Sequence, residues 1–251
     1  MSILRLTEKN IRNFFKQPFG AAFCEVKMKV IAHIENDFDE KFGVPRQAGL
    51  VPECLSRIVF EPEYRDESAL RGLEGFSHIW LLWNFSLAER DDWSPTVRPP
   101  RLGGNERMGV FATRSPFRPN PIGLSCVKLL EICRDTQLGP TLIVSGADLM
   151  SGTPIYDIKP YLPYADCVPD ATGGFTANEL PRRYDVIAAD EVWDVFPADK
   201  RQALTGVLSQ RPIPSYQSDP ERIYKMSYAG YTVEFCVLPN LIEIKRIVKE
   251  L

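Results

Sequence analysis

The sequence predicts a mainly β protein: an antiparallel β-barrel over residues 28–170, then a small α+β unit over residues 182–251. Apolar runs of strand length (28–34, 54–61, 75–85, 123–131, 141–144 and 155–159) follow one another with no helical periodicity between them. Short, closely spaced strands of this kind favour an antiparallel barrel over a parallel sheet. Around residues 168–181 the composition shifts to Pro, Gly, Thr and Asn, which marks a boundary between units. Beyond it one amphipathic helix is followed by alternating strands, the pattern of a compact α+β unit.

In order, residues 28–34 (MKVIAHI) read as a strand, and a polar loop then delivers Val44, Pro45, Arg46 and Gln47. Residues 54–61 form the next strand and lead to a turn of helix around 68–71. Residues 75–85 are almost wholly apolar, contain Trp80 and Trp83 and start at a glycine; the run is too short for most helices and reads as a buried strand. Pro99, Pro100, Pro116, Pro119 and Pro121 then break helix and central strand alike, so residues 99–121 are mostly rigid loop, with strand character only at 109–113. After the boundary, residues 184–196 look strand-like. Pro197 opens a helix through Gln210: proline suits the first helical position, Asp199 the first turn, and Leu204, Val207 and Leu208 form the apolar face. Tyr231, Val233, Phe235 and Val237 alternate with Thr232, Glu234 and Cys236, and Ile242, Ile244 and Val248 repeat the pattern.

Hydrophobic residues at 44% and charged residues at 25% suffice for a soluble core. The six cysteines contain no C-x-x-C pair and read as free thiols of a reducing cytoplasm. His33 and His78 stand alone in apolar runs, so no metal site is expected. The longest uncharged apolar stretch, 76–88, is well short of the roughly 18 residues a membrane span needs. Residues 1–27 form an N-terminal extension in which Arg5, Lys9, Arg12 and Lys16 interrupt any signal-peptide core.

Charge concentrates function in one place. Between Arg98 and Arg118 lie five arginines and a single acid, Glu106, giving +4 in a chain of net charge −3. Such a cluster repels itself unless an anion sits against it, which points to an anionic partner and makes Arg98, Arg101, Arg107 and Arg118 candidates for phosphate contact. No G-x-G-x-x-G follows a strand, and Gly103-Gly104 lacks the lysine and serine of a P-loop, so the two common nucleotide-binding turns are absent.

The string GVFATRSPFRPNPIGLS at 109–125 resembles the signature of the tRNA-methyltransferase O family, also described as YaeB-like or TsaA-like proteins. Residues 42–49 (FGVPRQAG), 71–80 (RGLEGFSHIW), 98–105 (RPPRLGGN) and 145–164 (SGADLMSGTPIYDIKPYLPY) occur in that family's order and spacing, and the similarity covers about residues 28–251. The resemblance implies a β-barrel methyltransferase that binds S-adenosyl-L-methionine beside a homodimer interface and methylates N6 of the adenosine at tRNA position 37 once it carries a threonylcarbamoyl group. It further implies cofactor contacts at Pro45, Arg46, Gln47, Ser86, Leu87, Arg114, Leu124, Ser151, Gly152, Thr153 and Pro154. Physically, the planar fork of an arginine suits the methionine carboxylate, and a turn at Gly152-Thr153 would offer backbone groups to the adenine edge or ribose.

The chain departs from the family pattern in three places: Ser86 stands where His is common, Ser151 where Asp is common, and Ile213 where the pattern has an arginine. If that Asp holds the ribose hydroxyls, Ser151 bonds only one of them well. Methyl transfer needs positioning and removal of one proton. Candidate groups are Asp148, Asp157, Lys159, Tyr161, Tyr164 and Asp166, of which Asp157, Lys159 and Tyr164 are taken as the catalytic set. Asp157 and Lys159 are two apart on a strand and share a face. A binding module that holds cofactor and RNA without turnover, and a methyltransferase for a small molecule, are the alternatives.

Overall fold

The computed structural model describes residues 28–88, 92–99, 106–135, 137–177, 183–214, 217 and 219–250. The N-terminal extension and the expected RNA contact Arg101 lie outside the described residues. Strands β1 (Ala32–Glu35), β2 (Leu55–Phe60) and β3 (His78–Asn84) are followed by a small hairpin, β4 (Thr96–Val97) with β5 (Met108–Gly109). The strands β6 (Ile122–Asp135), β7 (Gly139–Ser145) and β8 (Pro154–Pro160) complete the N-terminal part. Six of these close an antiparallel barrel in the order β1-β2-β7-β6-β3-β8, with β8 returning to β1 through Ala32↔Ile155. The mainly β, barrel-forming expectation is therefore met.

Alternation explains the barrel. On β3, Ile79, Leu81 and Trp83 point inward while His78, Trp80 and Leu82 face out. Ile34, Ile58, Leu142 and Ile155 meet them inside, all wholly buried, each side chain contributing about 1.5–3 kcal/mol by leaving water. The long β6 serves two neighbours: its first half pairs with β3 and its second with β7, and a bulge between Leu129 and Glu131 turns it from one to the other. Gly123 of β6 lies directly across from Trp83, and a Cβ there would sit 2.2 Å from the indole Cε2. Only glycine admits the ring.

The helices are α1 (Pro163–Asp166), α2 (Asp190–Trp193) and α3 (Arg201–Ser209), and the later strands are β9 (Asp185–Ile187), β10 (Tyr224–Tyr228), β11 (Tyr231–Val237) and β12 (Leu241–Lys249). These strands form a sheet ordered β10-β11-β12-β9, in which β9 runs parallel to β12. Ala203, Leu204, Val207 and Leu208 of α3 close its core. That core also contains Phe38, Val51 and Cys54, with Phe42, Val44 and Leu50 packed against it. The loop between β1 and β2 thus starts and ends in the barrel but buries its apolar side chains in the second sheet's core. Burial pushes the Cys54 thiol up to about 12, so it is inert as a nucleophile.

Three local expectations are corrected. Residues 184–196 are not one strand: β9 covers three residues and α2 follows, with Asp190 and Glu191 in its first turn, where negative charge suits the helix dipole. Val110–Ala112 is a 3-10 turn, not a strand, because both the hydroxyl and the N–H of Thr113 donate back to the Val110 carbonyl, at 2.9 and 3.1 Å. On β12 it is Ile247, not Val248, that joins the core. The pairing slips at Glu234/Phe235, and a one-residue slip exchanges the two faces of a strand.

Candidate functional site

Four segments meet at one mouth of the barrel: the β1–β2 loop, the inner face where β3 meets β6, the β7–β8 connection and the segment preceding β6. In the β1–β2 loop Gly43 has φ +99, and a Cβ there would lie 2.2 Å from Met226 Sδ of β10. The loop therefore rests against the second sheet at a residue that needs glycine for both conformation and space. Asp37 pairs with Lys200 at 2.5 Å, half-buried, adding an ionic tie to the turn before α3. Arg46 Nη2 then donates to the Ile213 carbonyl at 3.0 Å. Ile213 is wholly buried, and it serves the loop through its backbone, so the missing arginine at this position removes no contact from this bond. Arg211, two residues before Ile213, turns its guanidinium onto its own segment. It adopts φ +51 and donates to the carbonyls of Pro214 and Gln217, closing its own turn.

Next to Arg46, Gln47 turns its amide oxygen toward Arg114, whose Nη1 donates at 2.5 Å, while the Gln47 amide nitrogen donates to the Arg46 carbonyl at 2.5 Å. Beneath them Trp83 Nε1 donates to Ser125 Oγ at 2.9 Å, and Ser125 donates to Asp148 Oδ1 at 2.5 Å. Burial pushes the Asp148 carboxyl above the usual aspartate range, opposed by the Ser125 hydroxyl, the backbone N–H groups of Asp148 and Ala48, and the positive charge of Arg114. Asp148 thereby fixes the residue after Gln47 and faces the guanidinium that Gln47 orients. Trp83, Ser125 and Ala48 were not recognised from the sequence, because their importance lies in contacts across 23 to 100 positions. The only local signals were the Gly123 that admits Trp83 and the carboxylate Asp148 itself.

The expected catalytic set lies elsewhere. Lys159 Nζ and Asp157 Oδ2 pair at 2.8 Å on the outer face of β8, both substantially exposed, and Tyr164 on α1 is 87% exposed. Asp157 neighbours Leu82 of β3, which neighbours Leu124 of β6, so Asp157 and Leu124 share an outward row of the barrel wall. Asp166 accepts from Leu162 N–H and Trp80 Nε1, which hold its carboxyl below the usual range. Burial thus raises the Asp148 carboxyl, whereas hydrogen bonds lower that of Asp166.

The Ser151–Pro154 turn needs a correction. Its backbone donors are not available to a nucleotide: Ser151 N–H donates to Phe38 O at 2.8 Å, Gly152 N–H to Ile34 O at 2.7 Å and Thr153 N–H to Met150 O at 3.2 Å. The Thr153 carbonyl is also engaged, accepting from Ile34 N–H at 3.2 Å, the Thr153 hydroxyl donates to Met150 O at 2.7 Å, and the Ser151 hydroxyl oxygen accepts from Asn36 N–H at 3.4 Å. Ser86 and Leu87 form an exposed 3-10 turn at the end of β3. Leu87 at 83% and Leu124 at 52% are exposed apolar side chains. Arg98 and Arg107 are exposed along the β4–β5 hairpin, with Arg107 Nη1 bonded to Thr96 Oγ1 at 2.7 Å, and Arg118 Nη1 donates to Thr113 O at 3.3 Å.

The raised carboxyl of Asp148 gives a prediction for stability. Its folded form holds a proton more tightly than the unfolded chain, so ionising it costs stability as pH rises past the ordinary aspartate value, and the full cost applies above its folded pKa. Asp148→Asn is expected to melt at higher temperature than the parent at neutral pH, with the gap closing toward about pH 4. Melting curves across that range check it; a gap that widens in acid would mean that Asp148 is stabilised as the anion.

Among the described residues no helix is long and apolar enough to cross a membrane, and no three His, Cys, Asp or Glu side chains group as metal ligands. The tRNA-methyltransferase O N-terminal domain matches residues 33–167. The tRNA (adenine(37)-N6)-methyltransferase of Escherichia coli (strain K12) is 43% identical over 198 residues, 76% of this chain and 83% of its own. A Pseudomonas aeruginosa relative whose name includes the words S-adenosylmethionine-dependent methyltransferase is 41% identical over 207 residues, 77% of this chain and 85% of its own. A crystal structure of TrmO from Pseudomonas aeruginosa superposes with a TM-score of 0.71 at 32% identity, covering 90% of this chain and 99% of that one.

Proposed function

Because this chain belongs to the tRNA-methyltransferase O family, we propose that it methylates N6 of adenosine 37 in tRNA after a threonylcarbamoyl group has been installed there. It is an S-adenosyl-L-methionine-dependent methyltransferase of tRNA. We place its work in the cytoplasm and assign it a homodimeric state; sedimentation of the purified chain reads the mass directly.

The observation that carries this reading is Arg114, an exposed guanidinium held by Gln47 at the mouth of a barrel, preceded by Arg98, Arg101 and Arg107 and followed by Arg118 in a +4 segment. The residues fit the cofactor: Arg114 retains donors for a carboxylate, and the exposed Leu87 and Leu124 offer apolar contact for an adenine. Pro45, Arg46, Gln47, Ser86 and the Ser151–Pro154 turn complete the proposed cofactor set. When bound, the cofactor supplies a methyl group already activated by its sulfonium. The chain's own task is to hold the acceptor nitrogen in line and to accept its proton. Asp157, Lys159 and Tyr164 remain the proposed catalytic set on the outer wall, with Asp148, held by the Ser125 hydroxyl at the mouth, as a further candidate proton acceptor.

The threonylcarbamoyl group is favoured on chemical grounds. An exocyclic adenine amine is a poor nucleophile, because its lone pair is delocalised into the ring. Within a urea the same N–H is more acidic, so a modest carboxylate suffices to assist its loss. The threonine carboxylate adds an anionic handle for the arginines or Lys159. Methyl incorporation is compared on matched tRNA pools from cells able and unable to make the threonylcarbamoyl modification. Label confined to the first pool is expected, whereas equal incorporation would return the substrate to plain adenosine.

A second expectation concerns salt. If Arg98, Arg107 and Arg118 face phosphate, tRNA affinity falls steeply with salt, and neutralising each arginine flattens the log–log slope by up to about one unit. A slope indifferent to all three substitutions would assign the loop another role.

A further inference from the structure

Trp93 and Phe111 stack on each other, ring centroids 6.1 Å apart and planes inclined by 29°, yet they remain 52% and 74% exposed. Backbone pairing brings them together. Thr96 lies opposite Gly109, and Val110 N–H donates to Pro95 O at 2.9 Å, so the chain immediately outside the β4–β5 hairpin delivers both rings to one side. Val110 beside them is buried and anchors the hairpin, whereas neither ring enters either core. Two large aromatics stacked in water need a reason, because burial elsewhere would stabilise them more. Arginines flank the hairpin along the chain: Arg98 follows β4, Arg107 precedes β5 with its guanidinium fixed on Thr96, and Arg114 comes three residues after Phe111, while Asp92 directly precedes Trp93.

We infer that the Trp93–Phe111 pair is a stacking platform for unpaired bases of the RNA substrate, set within the arginines that hold its phosphates. This rests on the proposed tRNA substrate. Single-stranded RNA is recognised by this combination, an electropositive track for the backbone and exposed aromatic faces on which splayed bases stack. The loop around position 37 is the unpaired part of tRNA that such an enzyme must engage. The pair contributes affinity that does not depend on charge, and so is separable from the arginines by experiment.

The test uses Trp93→Leu and Phe111→Leu, which keep apolar bulk but remove the π face, with Phe111→Tyr as the aromatic control. Stacking contributes about 1–3 kcal/mol per base, so each leucine variant is expected to bind tRNA roughly 5- to 150-fold more weakly. Cofactor affinity and the salt slope should stay at parental values, and Phe111→Tyr should bind as the parent does. Leucine variants that bind tRNA like an active parent would overturn the platform while leaving the substrate reading intact. A parent that fails to bind tRNA would overturn both. Leucine variants that dissociate a parental dimer in sedimentation would assign the pair to a second copy instead.

Discussion

Replacing Arg114 by alanine is expected to weaken S-adenosyl-L-methionine binding by roughly 10-fold to several hundred-fold while the fold survives. The side chain is exposed, and its hydrogen bond runs to Gln47, so little packing is lost. What is lost is a charge-assisted, forked donor proposed for a carboxylate, together with the counter-charge that faces Asp148. Arg114→Lys separates the two contributions: it keeps the positive charge but not the planar fork, and should recover only part of the affinity. Calorimetric titration with the cofactor, paired with a melting curve, measures both variants. Unchanged binding by the alanine variant would remove Arg114 from the cofactor site.

Gly123→Ala is expected to destabilise the protein by roughly 2–4 kcal/mol, combining overpacking with loss of a buried indole hydrogen bond. The added methyl would lie 2.2 to 2.5 Å from three atoms of the Trp83 ring system, and a rigid bicycle in a closed barrel cannot step aside as a flexible side chain would. Displacing Trp83 also removes its Nε1 donor from Ser125, the residue that carries Asp148. Cofactor affinity should therefore fall along with the melting temperature. Gly43→Ala provides the contrast. There the close neighbour is the flexible end of Met226, and the main cost is the positive φ, about 1–2 kcal/mol. Denaturant unfolding of both variants tests the ranking, and a Gly123→Ala protein as stable as the parent would contradict the register that sets Gly123 against Trp83.

The barrel was legible because its strands carry their burial in a period of two. Ile79, Leu81 and Trp83 mark the inside of β3 with no knowledge of its partners, and the prolines of the arginine segment exclude regular structure from chemistry alone. The same local rule failed where partners shift the register, as on β12, where the slip beside Glu234 puts Ile247 rather than Val248 in the core. It failed again after β9, where acidic residues suited a helix start better than a continued strand.

Local sequence by itself thus determined the fold class and the basic segment. Only the tertiary structure decided that the β1–β2 loop is buttressed by the second sheet, through Arg46 to the Ile213 carbonyl and Asp37 to Lys200. Only it placed Trp83, Ser125 and Asp148 in one chain of hydrogen bonds beneath Gln47 and Arg114. It also showed that the Gly152 turn directs its N–H groups to the carbonyls of Phe38, Ile34 and Met150 rather than toward a nucleotide. The physical reason is one of range. Periodicity, proline geometry and net charge act over a few residues and can be read along the chain, whereas a hydrogen-bond partner, a ring's clearance and a carboxylate's desolvation are properties of segments that meet only when the barrel closes.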